Sequence, residues 1–519
     1  MADQAILTAQ GHQQAMPRSF SMLSALGLGF SVTNSWASYV SNFGQNISYG
    51  GPQSVILGAL VALFAQWILT LGLSELASAF PSSGGQYHFV WILSEKKKDF
   101  AAFVVGWLSV IGWCIATASG VSLATISIFG LVKFWNDGFE GGAWMVYLIF
   151  LVVIGLTFLP LYLTPRSLPL LTTISLWVSL LGFGVIFVVL VAMKKHNNPW
   201  PYLTESHLGT SGWGEETAWL LGSINSMSVV EKFFNDLFQQ NLMELTRYAF
   251  SGCDAPIHIA EEVPKPGIKI PAVMNLTMFI GALTTFPLLT LMMYAMRDMQ
   301  AVITSGLPSA ELIYQITESK TVTTFMMCWV ILVYTSSLIG QWVTCGRLVW
   351  AFARDGGTPY KEYFIHIDTH RQFPLRATLA AVTFVSIYGL LYLASTTAFN
   401  SILTTTVFFL DLTYAIPQGI LLFRGRGKTT LPDRPLDLGA WGYVVNSFSV
   451  VWTVLLGVMV CFPTRFPTEI GSMNWAAVII VGILGVVGVL WAYVGDGFEG
   501  PKIDLRALSE ANGGEKRRG

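Results

Sequence analysis

Apolar stretches long enough to cross a lipid bilayer, about 20 residues each, recur along the whole chain and restrict what it can fold into. They lie near residues 18–47, 53–78, 99–133, 143–163, 167–193, 215–262, 269–296, 321–347, 376–396, 399–423, 439–462 and 473–494, which makes twelve. In hydrocarbon every backbone amide must find its partner inside the protein, and segments of this length and composition do so as α-helices. Only 11% of the residues are charged and 53% are hydrophobic, whereas soluble domains carry roughly 25% charge. The expected fold class is an all-α polytopic membrane protein with about twelve transmembrane helices, its surface covered by a lipid bilayer.

Two of the stretches carry a polar, glycine-bearing break. The first is Leu26-Gly-Leu-Gly-Phe-Ser-Val-Thr-Asn-Ser-Trp36. Gly27 and Gly29 weaken a helix there, and Ser31, Thr33, Asn34 and Ser35 offer local partners to backbone groups. An unpaired amide in hydrocarbon costs several kcal/mol, so such a break persists only when buried against protein or lining a wet cavity. The stretch is thus a candidate binding site. The same residues also fit an ordinary membrane helix whose glycines allow close packing and whose hydroxyls bond back one turn. A second break, Tyr248-Ala-Phe-Ser-Gly-Cys-Asp-Ala-Pro256, lies in the sixth stretch. Paired discontinuous helices in corresponding halves mark the central site of a transporter.

Breaks in spans 1 and 6 imply that spans 1–5 and 6–10 have opposite topology, a five-plus-five inverted repeat with two helices appended. The divisions would be a tail at 1–17, a first repeat at 18–193, a second at 215–423, helices 11 and 12 at 439–494, and a tail at 495–519. The repeat is inferred from position, since the halves show no strong residue-level similarity. With the N-terminus inside, 21 Lys and Arg fall on inner segments and 6 on outer ones, and Lys232 and Arg247 lie within the sixth stretch. Both termini are therefore expected in the cytoplasm. The first 17 residues lack the basic flank and cleavage site of a signal peptide, so insertion is expected to rely on the first helix.

A net charge of −1, with no basic tract longer than Lys96-Lys97-Lys98, gives no sign of a nucleic-acid partner. Cys114, Cys253, Cys328, Cys345 and Cys461 are odd in number, scattered and set among apolar residues, which points to packing rather than disulfides or metal. No cofactor or metal site is expected. An enzyme is not expected either, because His, Cys and acidic residues do not cluster on one membrane face.

Four motifs carry a family resemblance. Gly-Phe-Ser-Val-Thr-Asn-Ser-Trp (29–36), Ser-Glu-Leu-Ala-Ser-Ala-Phe-Pro-Ser-Ser-Gly-Gly-Gln-Tyr (74–87), Phe-Ser-Gly-Cys-Asp-Ala-Pro-Ile-His-Ile-Ala-Glu-Glu-Val (250–263) and Arg-Leu-Val-Trp-Ala-Phe-Ala-Arg-Asp-Gly-Gly (347–357) resemble the amino acid–polyamine–organocation permeases. Within them the likeness is strongest to the fungal amino acid, GABA and choline permeases, from about residue 18 to 494. The resemblance implies a secondary active transporter that imports amino acids or amino-acid-like amines such as GABA or choline, coupled to protons. It would work by alternating access in the plasma membrane, with a vacuolar or other internal membrane as the alternative. A non-transporting nutrient sensor on the same fold is the competing reading.

The resemblance also implies which residues meet the substrate. Ser31, Val32, Thr33, Asn34, Ser35 and Trp36 would present amides, hydroxyls and the positive start of the next half-helix to a carboxylate. Phe250, Ser251, Gly252 and Asp254 would receive the amino end, although Asp254 could instead cap a helix. Trp36, Tyr39, Phe250, Tyr334 and Trp342 could form an ammonium box, yet a chain with 18 Trp, 17 Tyr and 34 Phe places aromatics near any pocket. Asp411, deep in span 10, is the sharpest candidate for proton coupling or for holding the substrate cation, because charge at membrane depth is costly. Glu75 could couple, gate or cap a helix, and His258, Glu261 and Glu262 could gate or end a solvated helix. Sodium coupling would draw on Ser336 and Ser337; span 5 has no ionisable group between Ser167 and Met193, so the lysine that replaces sodium in some relatives is not evident.

Residues 228–247 depart from this pattern. In the relatives the first half of span 6 runs straight into the unwound motif, but here 20 residues intervene, bringing Glu231, Lys232, Asp236, Glu244 and Arg247 to a place where burying one charge is costly. Val230, Phe233, Phe234, Leu237, Phe238, Leu242 and Leu245 share a helical face, so an interfacial amphipathic helix is one reading. The other is a retained intron or a gene-model error, in which case the chain lacking the segment is the active permease. We expect cDNA sequenced across Met227–Tyr248 to lack these codons, and deletion of 228–247 to support uptake. A message that carries them, with uptake lost on deletion, would make the segment a genuine part of the protein.

Overall fold

The computed structural model describes residues 2–94, 98–136, 138–139, 141–205, 208–225, 250–394, 396–462, 475–504, 507–508 and 510. The inserted segment 228–247 lies outside them. The described chain is helical, with a single isolated bridge between Asp368 and Phe373. Its principal helices are α1 (Ala2–Ala9), α2 (Met22–Thr33), α3 (Ser35–Ala79), α4 (Gln86–Leu93), α5 (Lys98–Trp135), α6 (Ala143–Leu163), α7 (Leu168–Met193), α8 (Glu215–Asn225), α9 (Pro266–Ala295), α10 (Lys320–Arg354), α11 (Leu375–Gly389), α12 (Thr396–Arg424), α13 (Trp441–Met459) and α14 (Ala476–Val494).

Ten helices among the described residues are long and apolar enough to cross a membrane, and they coincide with ten of the twelve expected spans. The other two are the spans read as interrupted. Span 1 is split at Asn34 between α2 and the start of α3. Span 6 is represented by α8 on one side of the undescribed residues and by a 3-10 helix, Ala255–Glu262, on the other. Spans 1 and 2 meet inside α3 at a sharp kink, where Gly51 takes φ +66° and ψ −158°, a conformation closed to side-chain-bearing residues. Pro52 follows, supplying a helix start that needs no amide donor.

The packing of the spans is regular. Span 2 (α3) lies along span 7 (α9), and span 3 (α5) along span 8 (α10). Span 3 meets span 10 (α12) as span 8 meets span 5 (α7), and span 3 meets span 4 (α6) as span 8 meets span 9 (α11). The pattern returns to itself when each span is exchanged with the one five places away, as an internal repeat requires. Outward faces are apolar: Leu148, Val152, Leu156, Leu159 and Leu163 form one exposed stripe along α6, suited to lipid. Helix α14 sits at the rim against α12 and α5.

Glu75 closes one end of the bundle. Its carboxylate is fully buried, bonds the Arg434 guanidinium at 2.6 and 3.0 Å, pairs with Arg426, and accepts the Leu438 amide at 3.0 Å. The residue considered for coupling or gating therefore fastens the α12–α13 loop to α3. Glu75→Ala would take the shared carboxylate from two guanidinium groups that are only 4% and 7% exposed and leave them Asp437 and backbone carbonyls, a loss of up to about 3–5 kcal/mol. It should lower the thermal unfolding midpoint in detergent clearly more than Glu75→Gln, which keeps an acceptor; equal midpoints for wild type and Glu75→Ala would remove the anchor.

Candidate functional site

The interruption of span 1 is a single residue wide. Asn34 takes φ 37° and ψ 51°, the left-handed region that Asn enters more easily than other side-chain-bearing residues. Its amide still donates to Phe30 O at 2.7 Å, and its carbonyl accepts from the Ser38 amide at 3.0 Å. The side chain is fixed as well: Ser179 Oγ on α7 donates to Asn34 Oδ1 at 2.8 Å and accepts from Trp36 Nε1 at 2.9 Å. Ser38 Oγ caps the Thr33 carbonyl at 3.1 Å. Helix α3 then starts at Ser35, where the first amides have no carbonyl of their own helix to bond and the helix end is positive.

Beside this break lies a small, partly open cavity. Val32, Asn34 and Ser38 line it from the first break, and Ser251 and Gly252 from the second. Trp113, Ala116, Gly120 and Leu123 line it from α5; Tyr334, Ser337 and Gln341 from α10; and Leu410 from α12. None of these side chains is ionisable at neutral pH. Among the described residues, three buried polar atoms on the lining have no hydrogen-bond partner: Asn34 Nδ2, Ser251 Oγ and Gln341 Oε1. An unsatisfied buried donor or acceptor costs about 1–3 kcal/mol, so three in one cavity mark a place made for a polar guest. Gly252 has φ +78°, and a Cβ there would stand 3.3 Å from both Trp113 and Val32. A Cβ at Gly120 would sit 2.7 Å from Gln341 Oε1.

Of the residues singled out in the sequence, Val32, Asn34, Ser251, Gly252 and Ser337 reach this cavity. The Ser31 hydroxyl donates back to Leu28 O and the Thr33 hydroxyl to Phe30 O, both at 3.2 Å, the ordinary helical arrangement. Ser35 and Phe250 pack at Gly281 of α9. Trp36 turns to Ser179 and Phe183, Tyr39 donates to Val55 O, and Trp342 donates to Thr157. Of the five aromatics considered for an ammonium box, Tyr334 alone lines the cavity. Ser336 donates to Val333 O, and its own carbonyl accepts from Ser175. Trp113, Gln341, Ser38 and Gly120 were not singled out. A glutamine inside an apolar span, four residues after Ser337, was a usable signal; Trp113 in an apolar run gave none.

Asp254 does not line the cavity. It accepts from Tyr414 Oη at 2.5 Å, Gln86 Nε2 at 2.6 Å and Trp113 Nε1 at 3.1 Å, with His258 Nε2 at 3.3 Å. The carboxylate thus joins the second break to α4, α5 and α12. Asp411 is different. One oxygen accepts from Gln66 at 3.1 Å, the other is buried without a partner, and no cation pairs with it among the described residues. Its neighbour Leu410 is on the cavity wall.

Beyond the second break the 3-10 helix is buried throughout, a correction to the expected solvated helix end. Glu261 holds Arg354 through two 3.0 Å bonds, and Glu262 pairs with Arg347. The N-terminal tail docks here: Phe20 N donates to Glu262 O at 3.2 Å, Gln10 to Pro81 O at 2.9 Å, and His12 stacks on His88 with ring centroids 5.6 Å apart. Burial, then the charge of Arg354, hold the His12 imidazole down at about 4. Burial alone would raise the Asp355 carboxyl, but His88 and Arg354 outweigh it and hold it at about 2.

Comparison with known proteins places these features in a family. The family described as amino acid permease matches residues 20–484. A choline transporter of Saccharomyces cerevisiae is 30% identical over 95% of this chain and 83% of its own length. A 7-keto 8-aminopelargonic acid transporter of the same yeast is 24% identical, covering 91% of both chains, and amino-acid permease 2 of Neurospora crassa is 26% identical over 93% of this chain and 86% of that one. A manganese transporter variant from Eremococcus coleocola superposes with a TM-score of 0.52 at 15% identity, covering 95% of each chain, a likeness of fold alone.

The unpaired atoms make the site testable. Asn34→Gly keeps the left-handed backbone and removes the amide, and Gln341→Leu removes one acceptor. Each should raise the half-saturation concentration for uptake about tenfold, the worth of one hydrogen bond of about 1.4 kcal/mol, at unchanged surface expression. Ser31→Ala and Thr33→Ala should leave it within about threefold, as local back-bonds of this kind contribute little. Wild-type uptake kinetics in both Asn34→Gly and Gln341→Leu would move the site elsewhere.

Proposed function

The chain belongs to the amino acid permease family, and on that premise we propose that it is a secondary active transporter for a small solute with a cationic nitrogen, an amino acid, GABA or choline. A permease is an integral membrane protein with a small-molecule substrate, as the ten membrane-length helices and the transporter relatives agree. The observation that carries the finer reading is the set of three unpaired polar atoms in a cavity where both breaks meet. Asn34 Nδ2 is a donor for a carboxylate or hydroxyl oxygen, next to the positive start of α3. Ser251 Oγ and Gln341 Oε1 are acceptors for ammonium or hydroxyl hydrogens. Trp113 and Tyr334 bring aromatic rings to the lining, and the face of such a ring attracts a cationic nitrogen.

A lining without ionisable side chains suits a zwitterion, whose charges cancel, or a compact cation held by aromatic faces. It disfavours a multiply charged solute. The likeness to the yeast choline transporter supports testing choline first. We place both termini in the cytoplasm and the protein in the plasma membrane on the distribution of Lys and Arg and on the resemblance. Coupling is assigned to a proton at Asp411, because a carboxyl facing one amide and no cation is suited to changing its charge as a proton arrives. The sodium alternative would use Ser336 and Ser337, whose hydroxyls donate to carbonyls one turn earlier and keep lone pairs free.

Reconstituted protein should take up labelled choline, GABA or an amino acid against its gradient when a pH difference is imposed, and not when a sodium difference is imposed. A competition screen of these solutes in permease-deficient cells identifies the substrate; the absence of any uptake would favour the nutrient-sensor reading. Asp411→Asn should abolish pH-driven accumulation while leaving solute exchange. A variant that still accumulates solute would exclude Asp411 as the coupling group.

A further inference from the structure

Outside the central cavity, three side chains from distant parts of the chain meet where the N-terminal tail docks. His12 follows α1, His88 lies in α4, and Asp355 caps the end of α10. One ring nitrogen from each histidine and one carboxylate oxygen of Asp355 lie within 4.8 Å of one another. His88 Nε2 is 2.6 Å from Asp355 Oδ2, and its other ring nitrogen, Nδ1, is 2.7 Å from Ser82 Oγ. Tyr87 Oη donates to the same Asp355 oxygen at 2.8 Å. His12 is 8% exposed, and its Nε2 is buried with no hydrogen-bond partner among the described residues.

That ring nitrogen is the informative atom, because among the described residues it is the one buried polar atom of these three side chains without a hydrogen-bond partner. We propose that His12, His88 and Asp355 form a binding site for a divalent transition-metal ion such as Zn²⁺, which ties the N-terminal tail to the end of the bundle. Two imidazoles and one carboxylate are a set that Zn²⁺, Ni²⁺ and Cu²⁺ accept, whereas Ca²⁺ and Mg²⁺ require oxygen ligands. Metal–ligand bonds of about 2.1 Å place tetrahedral ligand atoms about 3.4 Å apart. The His88–Asp355 pair must therefore open slightly and His12 close in as the ion binds. Ser82 on His88 Nδ1 is the outer hydrogen bond that orients a ligating imidazole. Arg354, with Nε 3.9 Å from Asp355, does not fill the site, since two of its nitrogens are committed to Glu261.

No spacing in the sequence shows this cluster, because its ligands stand 76 and 267 residues apart along the chain. On the permease reading above, the ion would pin the tail across one mouth of the bundle and hold the transporter closed there. Metal binding itself does not depend on that reading.

The test uses full-length protein purified in detergent and stripped of metal. Titration with Zn²⁺ should give one equivalent bound per chain, and Co²⁺ should give the visible absorption of a low-coordinate site that Zn²⁺ abolishes. His12→Ala should bind Zn²⁺ at least tenfold more weakly, as should His88→Asn, while exposed His196→Ala should bind as wild type does. Zn²⁺ should also slow tryptic cleavage after Arg18 in wild type but not in His12→Ala. Binding by His12→Ala equal to wild type, or binding lost equally in His196→Ala, would overturn the site. In proteoliposomes, Zn²⁺ on the tail side should inhibit uptake by wild type and spare His12→Ala. If Zn²⁺ binds as described without inhibiting uptake, the site stands and the closure is wrong.

Discussion

A backbone amide inside a membrane must be bonded to protein, and much of this molecule follows from how that demand is met at Asn34. One residue leaves the helix, its own amide and carbonyl keep helical partners, and its side-chain oxygen is held by Ser179 from α7. What the break leaves is a side-chain amide nitrogen without a partner, facing a wall shared with α5, α10 and the second break.

Helix α5 links this cavity to the rest of the interior. Trp113 stands on the cavity wall and also donates to Asp254, which in turn accepts from Tyr414 on α12. Asp411, which accepts from Gln66, lies three residues before Tyr414 on that helix, so the cavity wall, the second break and this carboxyl occupy neighbouring turns. Contiguity of this kind is a route along which occupancy and protonation can bias one another; a coupling free energy is what establishes it.

Charge is treated differently at the ends of the bundle. Glu75 with Arg426 and Arg434, Glu261 with Arg354, and Glu262 with Arg347 are buried pairs between elements remote in sequence. Such pairs seldom stabilise strongly, because desolvation offsets attraction, but breaking one is expensive. They fix which loop lies over which helix. The two glutamates after the second break thereby connect it to α10, the helix that also carries Gln341 and Tyr334.

The sequence by itself determined the helical class, the number of spans and the place of both interruptions, since hydrocarbon leaves a chain with few alternatives and glycine, serine and asparagine have a strong local meaning. It also picked out Asn34, Ser251 and Gly252, whose roles depend on local backbone. It could not tell which hydroxyls would bond back within their own helix, as Ser31 and Thr33 do, or which aromatics would turn away, as Trp36, Tyr39 and Trp342 do. Those outcomes depend on which neighbouring helix face comes within bonding distance. Trp113 and Gln341 joined the cavity, Glu75 became an anchor, and His12 met His88 and Asp355 for the same reason: only packing decides which partner a side chain finds across a distance of many residues.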